Sequence, residues 1–310
     1  MPNTCYSNFF LSNEVEDQFN SRLDLQRFCK VDRSLEGTAG MTRKINVYSA
    51  TNGTQKLTRG NGNTQTIAVS YVQKVYEILM AQNRFQYYDE DLMEDPFVPV
   101  VGARHAAIDM FNTVNGDIYG EFAKAALVLP VAGLGFDCFA DAQAMLNMEN
   151  SIDTFAFIAP SDVAALRKAL KDDLKYVEAF SRDGYVGTVA GTNIHLKKDA
   201  TPGSIYLATP DAVTLFIKKG TEVEQSIRGN RSSADENTRT NTLFTRKYYL
   251  AALTNATKDI KIAVGATASA SQDTEVNSSK TYYEKLAVGY REVIPEAGDN
   301  PKTEGWYEIA

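Results

Sequence analysis

Hydrophobic and polar positions change rhythm several times along the chain. Residues 12–30 (SNEVEDQFNSRLDLQRFCK) place Val15, Phe19, Leu23 or Leu25, and Phe28 on one side of a helix. Ser12 or Asn13 can cap it, and Glu14, Glu16 and Asp17 stand near its positive end. So short and isolated a helix is stable only when packed on something else, which makes it an arm. The period then drops to two. Residues 43–48 alternate, Asn52-Gly53 and residues 58–63 (TRGNGN) supply turn residues, and residues 66–72 alternate again, with extended character running to Phe85. Glycine and asparagine accept the positive φ of tight hairpin turns. The pattern predicts a long two-stranded ribbon, rich in Thr, Gln and Lys, with too few apolar residues to bury both faces. Such a ribbon is marginal alone in water, so it predicts a partner surface.

Residues 89–127 carry the helical period. Asp95-Pro96 opens the helix, Pro99 falls in its first turn, and Val101, Arg104, Ile108, Phe111, Asn115, Ile118, Phe122 and Ala126 follow at spacings of three and four. About 28 residues would make a rod of roughly 40 Å. Gly116 and Gly120 weaken it locally and permit a bend or close packing. From 137 to 200 the pattern is mixed: a helix at 137–149, a strand at 154–158, a helix at 161–175 capped after Pro160, and short strands near 185–189 and 193–196. Extended segments then dominate at 204–208, 212–217, 243–253 and 259–264, with an exposed loop at 228–241. Residues 266–272 (ATASASQ) read as a linker. Three short strands around Tyr282-Tyr283, residues 290–293 and residues 305–308 form an aromatic-rich appendage.

Charge adds segregation to this order. The net charge of −7 argues against a protein that coats nucleic acid with its bulk surface. Residues 36–88, however, carry six bases against two acids, and residues 89–127 carry two bases against eight acids. Residues 266–310 carry four bases against eight acids. Charge runs are ordinarily solvated surface; a basic segment followed by an acidic one also suits identical subunits that meet each other.

Catalytic chemistry has little to start from. His105 and His195 lack an acid, Cys or second His at triad or ligand spacing, and no HExxH, GxSxG, CxxC or P-loop occurs. Gly133-Leu134-Gly135 lacks the third glycine of a nucleotide motif. The acids Asp89, Glu90, Asp91, Glu94 and Asp95 do not follow EF-hand spacing and are explained by the helix dipole. Lys197-Lys198 and Lys218-Lys219, with Arg228 and Arg231, could touch phosphate but read as solvated faces. Cys5, Cys29 and Cys138 match neither a disulfide framework nor a zinc site, and the first residues lack the pattern of a secretory signal. No apolar run is long enough for a membrane helix. No enzyme, cofactor or metal is expected.

The order of parts resembles the major capsid proteins of tailed bacteriophages, whose α+β architecture is the Johnson, or Hong Kong 97-like, fold. Residues 57–64 (LTRGNGNT) with residues 67–71 (IAVSY) resemble its extended hairpin, the E-loop. Residues 109–119 (DMFNTVNGDIY) resemble its spine helix, and residues 187–194 (GTVAGTNI) with residues 201–204 (TPGS) the close of its axial lobe. Residues 211–213 (DAV) and Val223-Glu224 resemble its returning strands. The resemblance covers roughly residues 10–265. It implies an N-terminal arm over 1–35, the E-loop over 36–88, and the spine helix of a peripheral domain over 89–130. An axial domain over 131–205, returning strands over 206–265, and a linker with a small β appendage over 266–310 complete the division. The appendage looks like a short module attached to various phage structural proteins, and its net negative charge would face it away from packaged DNA.

The function so implied is to build the icosahedral head shell, from hexamers and pentamers of this chain, around double-stranded DNA held without sequence specificity. Assembly in the host cytoplasm, a virion location, and a separate scaffolding protein and portal follow from the same resemblance. Candidate inter-subunit contacts are Arg43, Lys44, Lys56 and Arg59 on the ribbon and Asp89, Glu90, Asp91 and Glu94 beyond it. Exposed ion pairs contribute only about 0–1 kcal/mol each, so strand addition and apolar burial must supply most of the cohesion. Other readings stay open at this point: an encapsulin-type compartment shell, a monomeric α/β enzyme without familiar motifs, or a tail-tube or decoration protein.

Overall fold

The computed structural model describes residues 23–51, 53–148, 153–171, 187–226, 237–296 and 298–310. Residues 12–22 of the predicted arm helix, and residues 227–236 of the predicted loop, lie outside these. The described end of the arm departs from expectation. Leu25–Phe28 is a single 3-10 turn capped by Asp24, and Lys30–Asp32 is strand β1. Helix gives way to strand there because Cys29 is extended and the next three residues join a sheet edge.

The ribbon follows as β2 (Thr42–Ala50) and β3 (Val69–Glu77). It ends earlier than the predicted residue 88, because β4 (Leu79–Tyr88) leaves it to pair inside the body. Next come the short α1 (Asp89–Glu94) and the long α2 (Val98–Phe122), with Pro99 in the first turn as expected. The helix ends before the predicted Ala126 because Leu127–Val131 is pulled out as β5, with Leu127, Val128 and Leu129 all buried. The mixed region contains α3 (Phe136–Met145), β6 (Thr154–Ile158), α4 (Pro160–Ala169), β7 (Thr188–Val189) and β8 (Thr192–Leu196). Then run β9 (Ser204–Ala208), the long pair β10 (Val213–Ser226) and β11 (Thr240–Leu253), and β12 (Asp259–Val264). The C-terminal part holds β13 (Ala268–Ala270), β14 (Tyr282–Lys285), β15 (Tyr290–Val293), α5 (Pro301–Glu304) and β16 (Tyr307–Ile309). Among the described residues no helix is long and apolar enough to cross a membrane.

Two sheets carry the body. The first has the order β1-β10-β11-β4, and α2 lies against it. The second has ten strands in the order β13-β16-β14-β15-β5-β12-β9-β6-β8-β7. Its middle strands are apolar on both sides, as a sheet covered on both faces requires. On β6, Ala156 and Ile158 join one core with α3, α4, Ile205, Leu207 and Ile260. Phe155 and Phe157 join the other with Val114, Ile118 and Phe122 of α2, Leu25 of the arm, and Val213 and Leu215 of β10.

Three expectations are corrected by this packing. In the first half of α2 the buried face is Gly102, Ala106, Met110 and Val114, not Val101, Arg104, Ile108 and Phe111. The Phe85 ring of β4 crosses the helix at Gly102, where a Cβ would stand 2.2 Å from it, so small residues must face that strand. Within the predicted linker at 266–272, residues 268–270 are strand β13, paired with β16. The tail is not a separate appendage either: β15 pairs with β5 (Tyr290 opposite Val128), so one sheet takes strands from 127–131, 154–208, 259–264 and 268–309.

Candidate subunit interface

The ribbon is built from nine consecutive antiparallel pairs, from Thr42–Glu77 to Ala50–Val69, without a register shift. Beyond them the Thr51 amide donates to the Ala68 carbonyl at 3.0 Å and the Asn61 amide to the Thr58 carbonyl at 3.1 Å. Gly60 takes a φ of +95° in that last turn, a conformation that favours glycine. Among the described residues neither β2 nor β3 pairs with any other strand. The apolar side chains of β3 consequently meet solvent: Val69 and Tyr71 are 64% exposed, Val72 67% and Val75 57%. Strand alternation sends Val69, Tyr71 and Val75 to one face, and Val72 with its cross-strand neighbour Val47 to the other. Apolar side chains left in water on both faces of one ribbon mark an interaction site.

At its root the ribbon is anchored. Ile78 is 2% exposed, packs with Phe216 and Ala252, and donates its amide to the Met41 carbonyl at 2.7 Å. The Tyr76 ring stacks on Phe216 at 5.2 Å. Arg43 Nε lies 3.7 Å from Asp32 Oδ2 on β1. Burial works against the Asp32 charge, yet hydrogen bonds from Ser34 and the nearby Arg43 and Lys30 hold its carboxyl below the usual range. Arg43 is therefore engaged within its own chain. Lys44, Lys56 and Arg59 are exposed along the ribbon and its loop.

The acids sit at the opposite end of β4 from the ribbon root. Ten residues at about 3.3 Å each separate the two by roughly 30 Å. Most of these acids have partners within the chain. Asp91 Oδ2 accepts the Tyr88 amide at 3.0 Å, and Asp89 Oδ1 accepts Asn241 Nδ2 at 2.7 Å. Glu90 lies 3.9 Å from Arg239, while Glu94 is exposed. Asp95, buried, accepts the Phe97 amide at 3.0 Å ahead of α2. The structure thus does not bring ribbon bases and these acids together within one chain.

Other sequence candidates also find local roles. Lys197 is buried, with Nζ 3.2 Å from Asp199, whereas Lys219 is exposed as expected of a solvated face, with Nζ 2.6 Å from Glu222. The His195 ring lies tilted against Phe28 of the arm, centroids 4.5 Å apart, and burial lowers its pKa. Cys29 and Cys138 are buried, and burial pushes the Cys29 thiol up to about 12, well away from a reactive thiolate. Among the described residues no three His, Cys, Asp or Glu side chains cluster as a metal site would.

One positioning residue escaped the sequence reading. Asn115, which interrupts the apolar stripe of α2, accepts the Leu25 amide on Oδ1 and donates Nδ2 to the Leu23 carbonyl, each at 3.1 Å. It clamps the arm to the helix. The signal was the interruption itself, since a polar side chain on a buried stripe needs partners.

No family model and no curated protein matches the chain. Solved structures do. The capsid of the cyanophage P-SCSP1u is 12% identical with a TM-score of 0.60, over 76% of this chain and 86% of that one. The capsid of a native GTA particle is 11% identical with a TM-score of 0.61, over 78% and 89%. A virus-like particle from Pyrococcus furiosus is 13% identical with a TM-score of 0.51, over 83% and 100%. At such identities the likeness is one of architecture, and the chain has the α+β fold of tailed-phage capsid subunits, the Johnson or Hong Kong 97-like fold.

Proposed function

We propose that this chain is a major capsid protein that assembles into the icosahedral head shell around the double-stranded DNA of a tailed phage. The observation that carries the reading is the ribbon β2–β3, which leaves Val69, Tyr71, Val72 and Val75 in solvent and pairs with no other strand of its own described chain. Laid across a neighbouring copy, it buries that surface in a head-to-tail contact that closes into rings. The same subunit then serves hexamers and pentamers, and repetition over many identical contacts makes the shell strong. Its role is structural rather than enzymatic, and its location the virion.

At the edges of this contact, Lys56 and Arg59 of one copy meet Glu90 and Glu94 of the next, with Lys44 along the same strand pair. Asp89, Asp91 and Arg43, engaged internally, shape the surfaces instead. Part of residues 131–205 surrounds the ring centre as an axial domain. A separate scaffolding protein and a portal direct assembly in the host cytoplasm, and DNA is enclosed without base recognition.

Electron microscopy of the protein expressed with its phage partners tests the proposal: closed shells with five- and six-fold capsomers are expected, and they package DNA in the infected host. A discrete species near 34 kDa under all these conditions would overturn it. Likeness to the virus-like particle, which this chain matches over that particle's whole length, supports an encapsulin-type compartment as second reading. Shells filled with protein and no DNA would favour it.

A further inference from the structure

The ribbon leaves the body through a loop, residues 33–41, in which Gly37 and Gly40 take φ values of +73° and +101°. Two chain segments joined by such a loop can meet at many angles unless something fixes one. Strand β10 is irregular at this point: Ile217 faces Tyr249 and Lys219 faces Tyr248, so Lys218 is skipped in the pairing. An extra residue of this kind bends the strand and re-aims its side chain. Lys218 Nζ reaches out of the body and donates to the Thr38 carbonyl at 2.7 Å and the Gly40 carbonyl at 2.5 Å. These two carbonyls flank the last turn before Met41, whose own carbonyl holds Ile78 at the ribbon's other strand.

We propose that Lys218 is a positioning residue that latches the ribbon at one angle in the free subunit, before any neighbour is present. The latch lies at a joint that would otherwise move. Behind the ribbon root runs a groove of about 780 Å³ between Arg43, Ile45 and Asn46 on one wall and Asp211, Thr254 and Asn255 on the other. The Asp32–Arg43 pair spans it at 3.7 Å, a loose contact without a hydrogen bond at Arg43 Nε. The Tyr76–Phe216 stack and buried Ile78 form the pivot. An apolar pivot resists pulling apart but resists rotation poorly, because dispersion contacts are not directional. The ammonium held by two carbonyls supplies the direction.

The latch matters for the proposed shell, since a ribbon already at its working angle loses little freedom on docking. Its existence, however, is a property of the single subunit and is measured there. From Glu77 to Val69 the ribbon is a lever of roughly 27 Å, so a turn of about ten degrees displaces its far end by about 5 Å. The experiment places spin labels at Val69→Cys on the ribbon and Lys168→Cys on α4, in full-length subunit with Cys5→Ser, and reads the distance distribution by pulsed electron resonance. A single narrow distribution is expected. Lys218→Met, which keeps the unbranched apolar stem and loses the ammonium donors, should broaden the distribution or shift its maximum by 5 Å or more. Lys218→Arg, which keeps donors of similar reach, should restore it. A Lys218→Met distribution unchanged in both width and maximum would overturn the latch, as would failure of Lys218→Arg to restore the parent distribution. The absence of shells with an intact distance response would sink the capsid reading and leave the latch standing.

Discussion

Three valines on β3 allow the ribbon's role to be tested separately from folding. Fully burying a valine contributes about 1.5–3 kcal/mol relative to leaving it in water. Val69, Val72 and Val75 retain 57–67% of their surface, so each has about 1–2 kcal/mol still to gain from a neighbouring copy. If both faces of the ribbon are covered, together they hold roughly 3–5 kcal/mol in reserve. The triple change Val69→Thr, Val72→Thr and Val75→Thr keeps side-chain shape and strand preference while replacing one methyl of each by a hydroxyl. In the isolated subunit these groups already face water, so thermal unfolding should move within the roughly ±0.5 kcal/mol usual for surface changes. Assembly should suffer: light scattering against subunit concentration should show the onset of particles raised by roughly two to three orders of magnitude. Charge reversal by Lys56→Glu with Arg59→Glu should act more weakly and fade with added salt, as exposed pairs do. The reasoning fails if the valine variant assembles at the parent concentration. It fails equally if the subunit itself melts several degrees lower, because the valines would then already be part of its own core.

Two other outcomes follow from buried polar groups. Asn115→Ala leaves the Leu25 amide and Leu23 carbonyl unpaired beside α2, and should cost about 1–3 kcal/mol; protease cleavage near residue 23 should rise before global unfolding, and an unchanged cleavage rate would count against the clamp. Asp259 is fully buried with neither carboxylate oxygen hydrogen-bonded, and burial raises its pKa well above the ordinary value, the Ile260 amide opposing only in part. The folded chain therefore holds this proton more tightly than the unfolded chain, and stability is lost as pH rises from about 4 through the folded-state value. Asp259→Asn should remove this contribution, so its advantage in melting temperature over the parent should widen from pH 5 to pH 8; parallel curves would refute the assignment.

Much of the chain could be read without coordinates wherever one local rule and the tertiary environment agreed. Residues 154–158 are turn-bounded, mainly apolar and buried throughout, and they, 204–208 and 259–264 are strands at the expected limits. The ribbon's exposure also followed from composition alone, since Thr, Gln and Lys offered no second apolar face. Errors arose where the neighbour decided. The helical rhythm carries on to Ala126, yet the helix stops at Phe122 and Leu127–Val131 forms β5, because β12 offers a parallel edge at Ile260–Val264. The front of α2 turns its small residues inward because Phe85 occupies the space, something spacing along one helix cannot reveal. Among the acids after β4, Asp89 and Asp91 already meet Asn241 and the Tyr88 amide within the chain, which spacing alone did not show. Net charge locates a segment's sign, not which of its members stay available.

The merger of the tail with the main sheet has a consequence for anyone trimming this protein. Tyr290 and Arg291 run alongside Val128 and Leu127, the Glu292 amide donates to the Ala126 carbonyl at 2.7 Å, and Gly289 approaches so closely that a Cβ would lie 3.1 Å from the Val128 carbonyl. Cutting the chain after Gly265 would strip that hem from an apolar strand and bare its unpaired backbone to any passing copy. The shortened protein would then clump through the wrong seam, and a loss of shells in such a truncation would say nothing about the ribbon.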